Sequence, residues 1–370
     1  MKVCHLTSAH PRDDTRIFVK MCRSCAEQGW DTSLVVADNL GDENKDGVKV
    51  YDVGFHSNKR LKRFTQIVWS VYKKAVDLNA DIYHLHDPEL LSIALLLKSK
   101  SKKVIFDAHE DLPKQVLSKP YLKPYQAKAI SFVAKNFERF VCKKLDGVVA
   151  ATPFIQEKFL TYGCNSEAIN NFPKLEEFSK VKVKVNKESK VFSACYIGNI
   201  SKVRGIIEML DALQASNDVS LSIAGKFNDP TLEKEANAHP AWNKVEDHGW
   251  LNRHEVSDLM ANSSVGLVTL HPIINYQDAL PVKMFEYMAA GIPLIATDIP
   301  YWKQIIERSE CGLVVDPFNP EEYADKLKYL QDNPDLCTKM GENGKKAIEK
   351  KYNWTIEKHK LASFYSRIVN

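Results

Sequence analysis

The sequence predicts an α/β protein built from two doubly wound, parallel-sheet domains. Three observations carry this. Short apolar runs alternate with helical patterns from one end of the chain to the other, as stacked βαβ units require. The 370 residues fit two domains of ordinary size, about 100–200 residues each. Composition changes once, after Pro173, where a Lys/Glu-rich, turn-poor stretch from Lys174 to Lys190 reads as a linker. The domains are therefore expected at residues 1–173 and 174–353.

In the first series, the opening apolar run is Val3-Cys4-His5-Leu6-Thr7, followed by a helical pattern over about 14–28 that Gly29 closes. The next runs are Thr32 to Ala37, Asp81 to His86, Val104 to His109 and Gly147 to Thr152, separated by helical patterns near 60–79, 89–98 and 124–145. The second series has runs at Ser193 to Gly198, Ser220 to Gly225, Val265 to Leu270, Pro293 to Thr297 and Gly312 to Val315. Helices are expected between them at about 204–214, 253–262, 282–290 and 319–331. In such sheets ligands bind beyond the carboxyl ends of the strands, and two domains facing one another make a cleft. The polar residues just after each run are thus the candidates for function.

Bulk properties exclude several classes. Apolar residues make up 44% and charged residues 26%, so disorder, collagen and coiled coil are set aside. A net charge of +4 gives no reason to expect nucleic acid as a partner. The eight cysteines are scattered. Cys22 and Cys25 form a C-x-x-C with no second pair at zinc spacing, and read as small buried hydrophobes. No uncharged apolar stretch reaches the ~18 residues of a spanning helix, and the N-terminal run is too short for a signal peptide. A cytoplasmic location is expected, and the Asn-x-Ser/Thr triplets at Asn199, Asn262 and Asn353 then read as chance.

The most informative segment runs from Asn275 to Pro293. It follows a strand, opens a helix near Pro281, stops at Gly291 and leads into the next strand. Such a helix start directs free N–H groups and a positive dipole end towards a ligand, which suits a diphosphate. Asp278 precedes the helix, and Lys283 and Glu286 share one of its faces. Here the chain resembles the family 4 retaining glycosyltransferases, which have the GT-B fold: two Rossmann-like domains facing across a cleft. Their pattern is Glu, seven residues, Glu, a small-residue helix end, Gly-x-Pro and an apolar strand ending in Thr. Glu286 stands at the second Glu, followed by Ala289-Ala290-Gly291-Ile292-Pro293-Leu294-Ile295-Ala296-Thr297. The resemblance implies that Glu286 holds the donor ribose through both hydroxyls. Asp278 replaces the first Glu and would contact the donor sugar.

Other segments join this resemblance. Tyr196-Ile197-Gly198-Asn199, with Arg204-Gly205, resembles the family's strand, glycine turn and basic helix start. Gly198 would let backbone approach phosphate and Arg204 would bond it bidentately, while Asn199 stands where the family commonly has Arg. Lys283 or Lys202 would supply the missing charge. His248-Gly249-Trp250-Leu251 would lie by the nucleobase, although a core position for Trp250 is the blander expectation. Phe106-Asp107-Ala108-His109-Glu110 resembles the strand that carries an active-site His, making His109, Asp278 and Glu286 the catalytic set. His84, His86 and Asp87 end the neighbouring run and read as a polar floor; no metal and no cofactor beyond the nucleotide-sugar donor is expected.

The first loop carries Arg12-Asp13-Asp14-Thr15-Arg16 and resembles a subgroup found in bacterial surface-polysaccharide assembly. Arg12, Asp14, Thr15 and Arg16 are the candidates on the acceptor side, with helix capping by Asp14 or Thr15 the plainer reading. The stretch from Lys98 to Lys144 is rich in lysine and contains Tyr121, Tyr125, Phe132, Phe137 and Phe140, a pattern that fits peripheral contact with the inner membrane surface. By resemblance, the last helix, 354–370, packs back on the first domain. The function implied is retaining transfer of a hexose from a nucleotide-diphosphate sugar, UDP first and GDP second, to a glycan or lipid-linked acceptor. Three alternatives stay open: a non-catalytic nucleotide-sugar-binding partner of a transferase complex, a nucleotide-sugar epimerase of the same fold, and a Rossmann oxidoreductase, against which the lack of a G-x-G-x-x-G after the first strand speaks.

Overall fold

The computed structural model describes residues 1–54, 63–119, 122–178 and 192–370. The linker stretch from residue 179 onward, Tyr121 and the start of the 60–79 pattern lie outside these residues. The chain divides into two compact units, Met1–Asn171 with Ile356–Asn370, and Phe172–Thr355. No described helix is long and apolar enough to cross a membrane.

The first unit contains β1 (Lys2–Leu6), β2 (Asp31–Val36), β3 (Glu43–Lys45), β4 (Val48–Asp52), β5 (Ile82–Leu85), β6 (Lys103–Ala108), β7 (Gly147–Ala150) and β8 (Ser166–Ala168). Their order is β3-β4-β2-β1-β5-β6-β7-β8, parallel throughout except for β3, which pairs antiparallel with β4. The inner strands are buried on both faces, which is why they read as unbroken apolar runs. β3, β4 and β8 carry no unbroken apolar run in the sequence. These lie at or next to the sheet edges, and their polar residues alternate with or outnumber apolar ones.

Strand order reverses between β1 and β5, so a switch point opens beyond their carboxyl ends. The turn there is fixed by Asp14, whose carboxylate accepts from the N–H groups of Arg16 and Ile17 and starts the helical segment Thr15–Cys22. The last helix, Trp354–Val369, contributes to this unit from Ile356 onward. Phe364 occupies space that Gly147 leaves open: a Cβ there would lie 2.6 Å from the ring.

The second unit contains β9 (Phe192–Ile197), β10 (Val219–Ala224), β11 (Val245–Asp247), β12 (Val265–Val268), β13 (Leu294–Thr297) and β14 (Gly312–Val315). Their order is β11-β10-β9-β12-β13-β14, all parallel, with the switch point between β9 and β12. Helix Val282–Ala290 is buried along nearly its whole length. Gly291 closes it with φ of 83°, and Gly341 of the helix Pro334–Lys350 presses on the Gly291 carbonyl so closely that a Cβ would stand 2.0 Å away. Gly266 in β12 makes room for the Tyr287 ring, and the Tyr287 hydroxyl accepts from the Ile197 N–H at the end of β9. The helix is therefore locked to the strand end that precedes Gly198.

Candidate functional site

Each unit carries a polar cluster at its switch point. In the second unit the cluster forms around Gly198, which follows β9 with φ of 123°. A Cβ on this glycine would lie 3.4 Å from the Lys283 Nζ and 3.6 Å from an Arg204 nitrogen, so two cations converge on exposed backbone. Gly205 has φ of 78°, and a Cβ there would come within 2.2 Å of the Thr269 carbonyl oxygen, so only glycine lets the helix Ile206–Ala215 begin this close to the end of β12.

Lys283 is the unusual member. It is buried in the first turn of helix Val282–Ala290, and its Nζ has no hydrogen-bond partner among the described residues. The ammonium lies 3.6 Å above the Tyr196 ring. Burial, reinforced by repulsion from Arg204, pushes its pKa well below the usual lysine value, with Glu286 opposing. A buried donor without an acceptor costs free energy, so this arrangement anticipates an anion.

Glu286 is buried three residues further on. Its Oε1 accepts from Arg253 Nη1 at 2.7 Å, and Arg253 also pairs with Glu177. Arg253 was not anticipated from the sequence. Asp278 sits at the end of the short helix Ile274–Gln277, and the Ala279 carbonyl beside it accepts from the Trp302 indole at 2.7 Å, which fixes the approach to Pro281. The Asn199 carbonyl accepts from the Tyr196 hydroxyl, while Leu251 is partly buried. Trp250 is 70% exposed, so the core position expected for it is corrected: it stands on the loop after β11, facing solvent.

In the first unit, Asp87 gathers the loop after β1. It accepts from the Thr7 hydroxyl at 2.8 Å and the Ser8 N–H at 2.6 Å, and it faces His10 at 3.4 Å. His10 also meets Asp14 at 3.3 Å. Burial disfavours its charge, but Asp14, Asp87 and Asp107 outweigh that and raise its pKa to about 9. His109, just beyond β6, stands edge-on to His10 with ring centroids 5.3 Å apart. Burial lowers the His109 pKa, opposite in direction to the shift of His10.

Arg12 and Arg16, read from the sequence as acceptor contacts, are committed elsewhere. Arg16 is buried, forks onto both oxygens of Asp107 at 2.7 and 2.9 Å, and donates to the Ile169 carbonyl. Arg12 binds Asp38, Glu43 and the Gly41 carbonyl. Both guanidinium charges are thus paired within the fold. Thr15 opens the helical segment that Asp14 caps.

Beneath this cluster, His5, His84 and His86 each offer a ring nitrogen within 4.8 Å of the others. Hydrogen bonds account for most of the set. Asp107 meets His86 Nδ1 at 3.0 Å, His86 Nε2 meets His5 Nδ1 at 2.9 Å, His5 Nε2 faces Cys25 Sγ, and His84 Nδ1 bonds the Tyr365 hydroxyl. The chain Arg16-Asp107-His86-His5 is a buried polar spine under the loop. His5 escaped the sequence reading because it sits inside an apolar run. Its signal appears only in the register that pairs His5 with His84 across β1 and β5.

Comparison with known proteins agrees with this architecture. Residues 177–347 match the family "Glycosyl transferases group 1", and residues 15–173 match "Glycosyltransferase Family 4". An alpha-D-kanosaminyltransferase of Streptomyces kanamyceticus is 28% identical over 178 residues, 47% of this chain and 45% of the relative, so the match spans under half of that protein. A phosphatidyl-myo-inositol mannosyltransferase of Mycobacterium leprae is 21% identical over 80% of this chain and 75% of its own length. Among solved structures, sucrose-phosphate synthase from Thermosynechococcus elongatus superposes with a TM-score of 0.80 at 14% identity, covering 99% of this chain and 98% of its own. HepE of Anabaena, in complex with UDP and glucose, gives 0.74 at 15% identity, covering 99% and 100%. The chain belongs to the family 4 glycosyltransferases, enzymes of the GT-B fold.

Proposed function

We propose that the protein transfers a hexose from a nucleotide-diphosphate sugar, UDP before GDP, to a glycan or lipid-linked acceptor in the cytoplasm, with retention of anomeric configuration and without a metal. The observation that carries this is the buried, unpartnered Lys283 ammonium converging with Arg204 on Gly198, at a switch point and in a first helical turn. A diphosphate supplies the acceptor oxygens that Lys283 lacks. Charge grows on those oxygens as the sugar bond cleaves with oxocarbenium character, so fixed cations lower the barrier more than they aid ground-state binding. Glu286, held by Arg253, accepts from the ribose hydroxyls, and Asp278 contacts the donor sugar. His109 and the loop after β1 are assigned to the acceptor. The UDP complex of HepE supports the choice of base, and eight free cysteines fit a reducing compartment.

Thermal unfolding with a panel of nucleoside diphosphates and their sugars, with and without chelator, tests this reading. A ligand at about 100 times its dissociation constant adds roughly 2.7 kcal/mol. One base should stand out, chelator should make no difference, and Glu286→Ala should weaken the response. Stabilisation only by NAD or a metal would remove the proposal.

A further inference from the structure

The first unit carries one helix whose outward face resembles no ordinary solvated surface. Helix Pro124–Cys142 buries Ala127, Ser131, Glu138, Val141 and Cys142 and anchors through the Ser131 hydroxyl, which donates to the Pro113 carbonyl at 2.8 Å. Its opposite face exposes Tyr125, Ile130, Phe132, Val133, Phe137 and Phe140. Phe132 and Tyr125 are 69% and 66% exposed, so these rings meet water over most of their surface. Spacings of seven between Tyr125 and Phe132 and eight between Phe132 and Phe140 put the three on one stripe.

The charges complete the pattern. Lys128, Lys135 and Arg139 run along one flank at helical spacing, and Lys123, Lys143 and Lys144 lie at the two ends, all exposed. The Lys144 ammonium lies 3.8 Å from the Phe140 ring centre, a cation riding on an apolar body. The helix has one acid, Glu138, which faces inward and pairs with Lys158 at 2.6 Å. A helix whose exposed face combines an apolar stripe with charges of positive sign alone is complementary to one kind of partner: a surface with an apolar interior and anionic headgroups.

We infer that helix Pro124–Cys142 docks on an anionic phospholipid bilayer, with Tyr125, Phe132, Val133 and Phe140 entering the headgroup–acyl boundary and Lys128, Lys135 and Arg139 contacting the headgroups. The aromatic rings suit that depth, where one edge is wet and the body is not. This surface would bring the enzyme to a lipid-linked acceptor, but it stands without the transferase reading: docking and donor binding can fail separately.

The test uses the full chain and co-sedimentation with vesicles of phosphatidylcholine alone or with about one-third phosphatidylglycerol. Binding is expected to the anionic vesicles only, and to weaken as salt rises towards about 1 M, where the Debye length is about 3 Å. The double variant Phe132→Ser/Phe140→Ser should lower partitioning about tenfold or more. Lys128→Gln and Lys135→Gln should each lower it roughly fivefold. All four side chains are exposed, so unchanged melting of the variants and an unchanged response to nucleoside diphosphate show that the fold is intact. Absence from both vesicle types, equal binding to neutral vesicles, or retention by the double variant overturns the inference. So does a purified chain that self-associates through Phe132 and Phe140 without binding vesicles, since the occupant would then be a second copy.

Discussion

Replacing Lys283 with Met should make the protein more stable and unable to bind its donor. Met keeps the length and apolar stem of Lys but carries no charge. In the structure the ammonium is buried without a hydrogen-bond acceptor, repelled by Arg204 and offset by the Tyr196 ring at 3.6 Å. An unsatisfied buried donor costs about 1–3 kcal/mol. The cation–π contact returns about 0.5–2 kcal/mol. The net gain on removal is about 1 kcal/mol, a rise of about 2–4 °C in Tm for a unit of this size. Protonation adds a signature. The folded pKa of Lys283 lies below the unfolded value, so the unfolded chain binds more protons in the window between them, and stability rises with pH across it. Lys283→Met should lose that rise. Differential scanning calorimetry of both proteins, with and without UDP and across the alkaline range, reads all three effects. A lower Tm for the variant, or an undiminished shift with UDP, would refute the role given to this lysine.

Three further outcomes follow from the geometry. Arg16→Ala should destabilise the protein by about 3–5 kcal/mol in urea unfolding, because Asp107 is left as a buried charge without its bidentate partner; Arg16→Ala/Asp107→Asn should recover part of the loss. Glu286→Ala should weaken nucleotide binding by about ten- to a hundredfold in calorimetric titration, since the proposed ribose contact would lose its charged hydrogen bonds and Arg253 would lose its partner. His10 gains its charge partners on folding, so its folded pKa of about 9 exceeds the unfolded value near 6.5. The stabilisation is full below about 6.5 and is lost as pH rises through about 9, and His10→Asn should flatten that part of the stability profile.

The inner strands and the helix after Pro281 were legible because burial on both faces and end signals at Pro281 and Gly291 leave marks in the local sequence. The edge strands β3 and β8 were not, because three residues with mostly polar side chains carry no apolar run. The cations near Gly198 were also legible, since Lys283 sits in the first turn of its helix and Arg204 just precedes helix Ile206–Ala215. Long-range partners were hidden. Asp107 claims Arg16 across 91 positions, and nothing near Arg16 announces it. Arg253 reaches Glu286 from the first turn of another helix, where a basic residue after the capping Asn252 looks like a solvated surface group. The outward face of helix Pro124–Cys142 was visible as a pattern of lysines and aromatics, but which aromatics were exposed required the packing of Ser131 and Glu138 beneath it.

The most direct measurement is turnover: the purified chain is incubated with UDP-sugars and GDP-sugars and a lipid extract as acceptor, and both nucleoside diphosphate release and sugar incorporation are followed. Release of one diphosphate matched by incorporation of its sugar, unaffected by chelator and lost in Lys283→Met, is the expected result. Tight donor binding without release, or recovery of an inverted nucleotide sugar, would contradict transfer and leave a binding partner or an epimerase in its place.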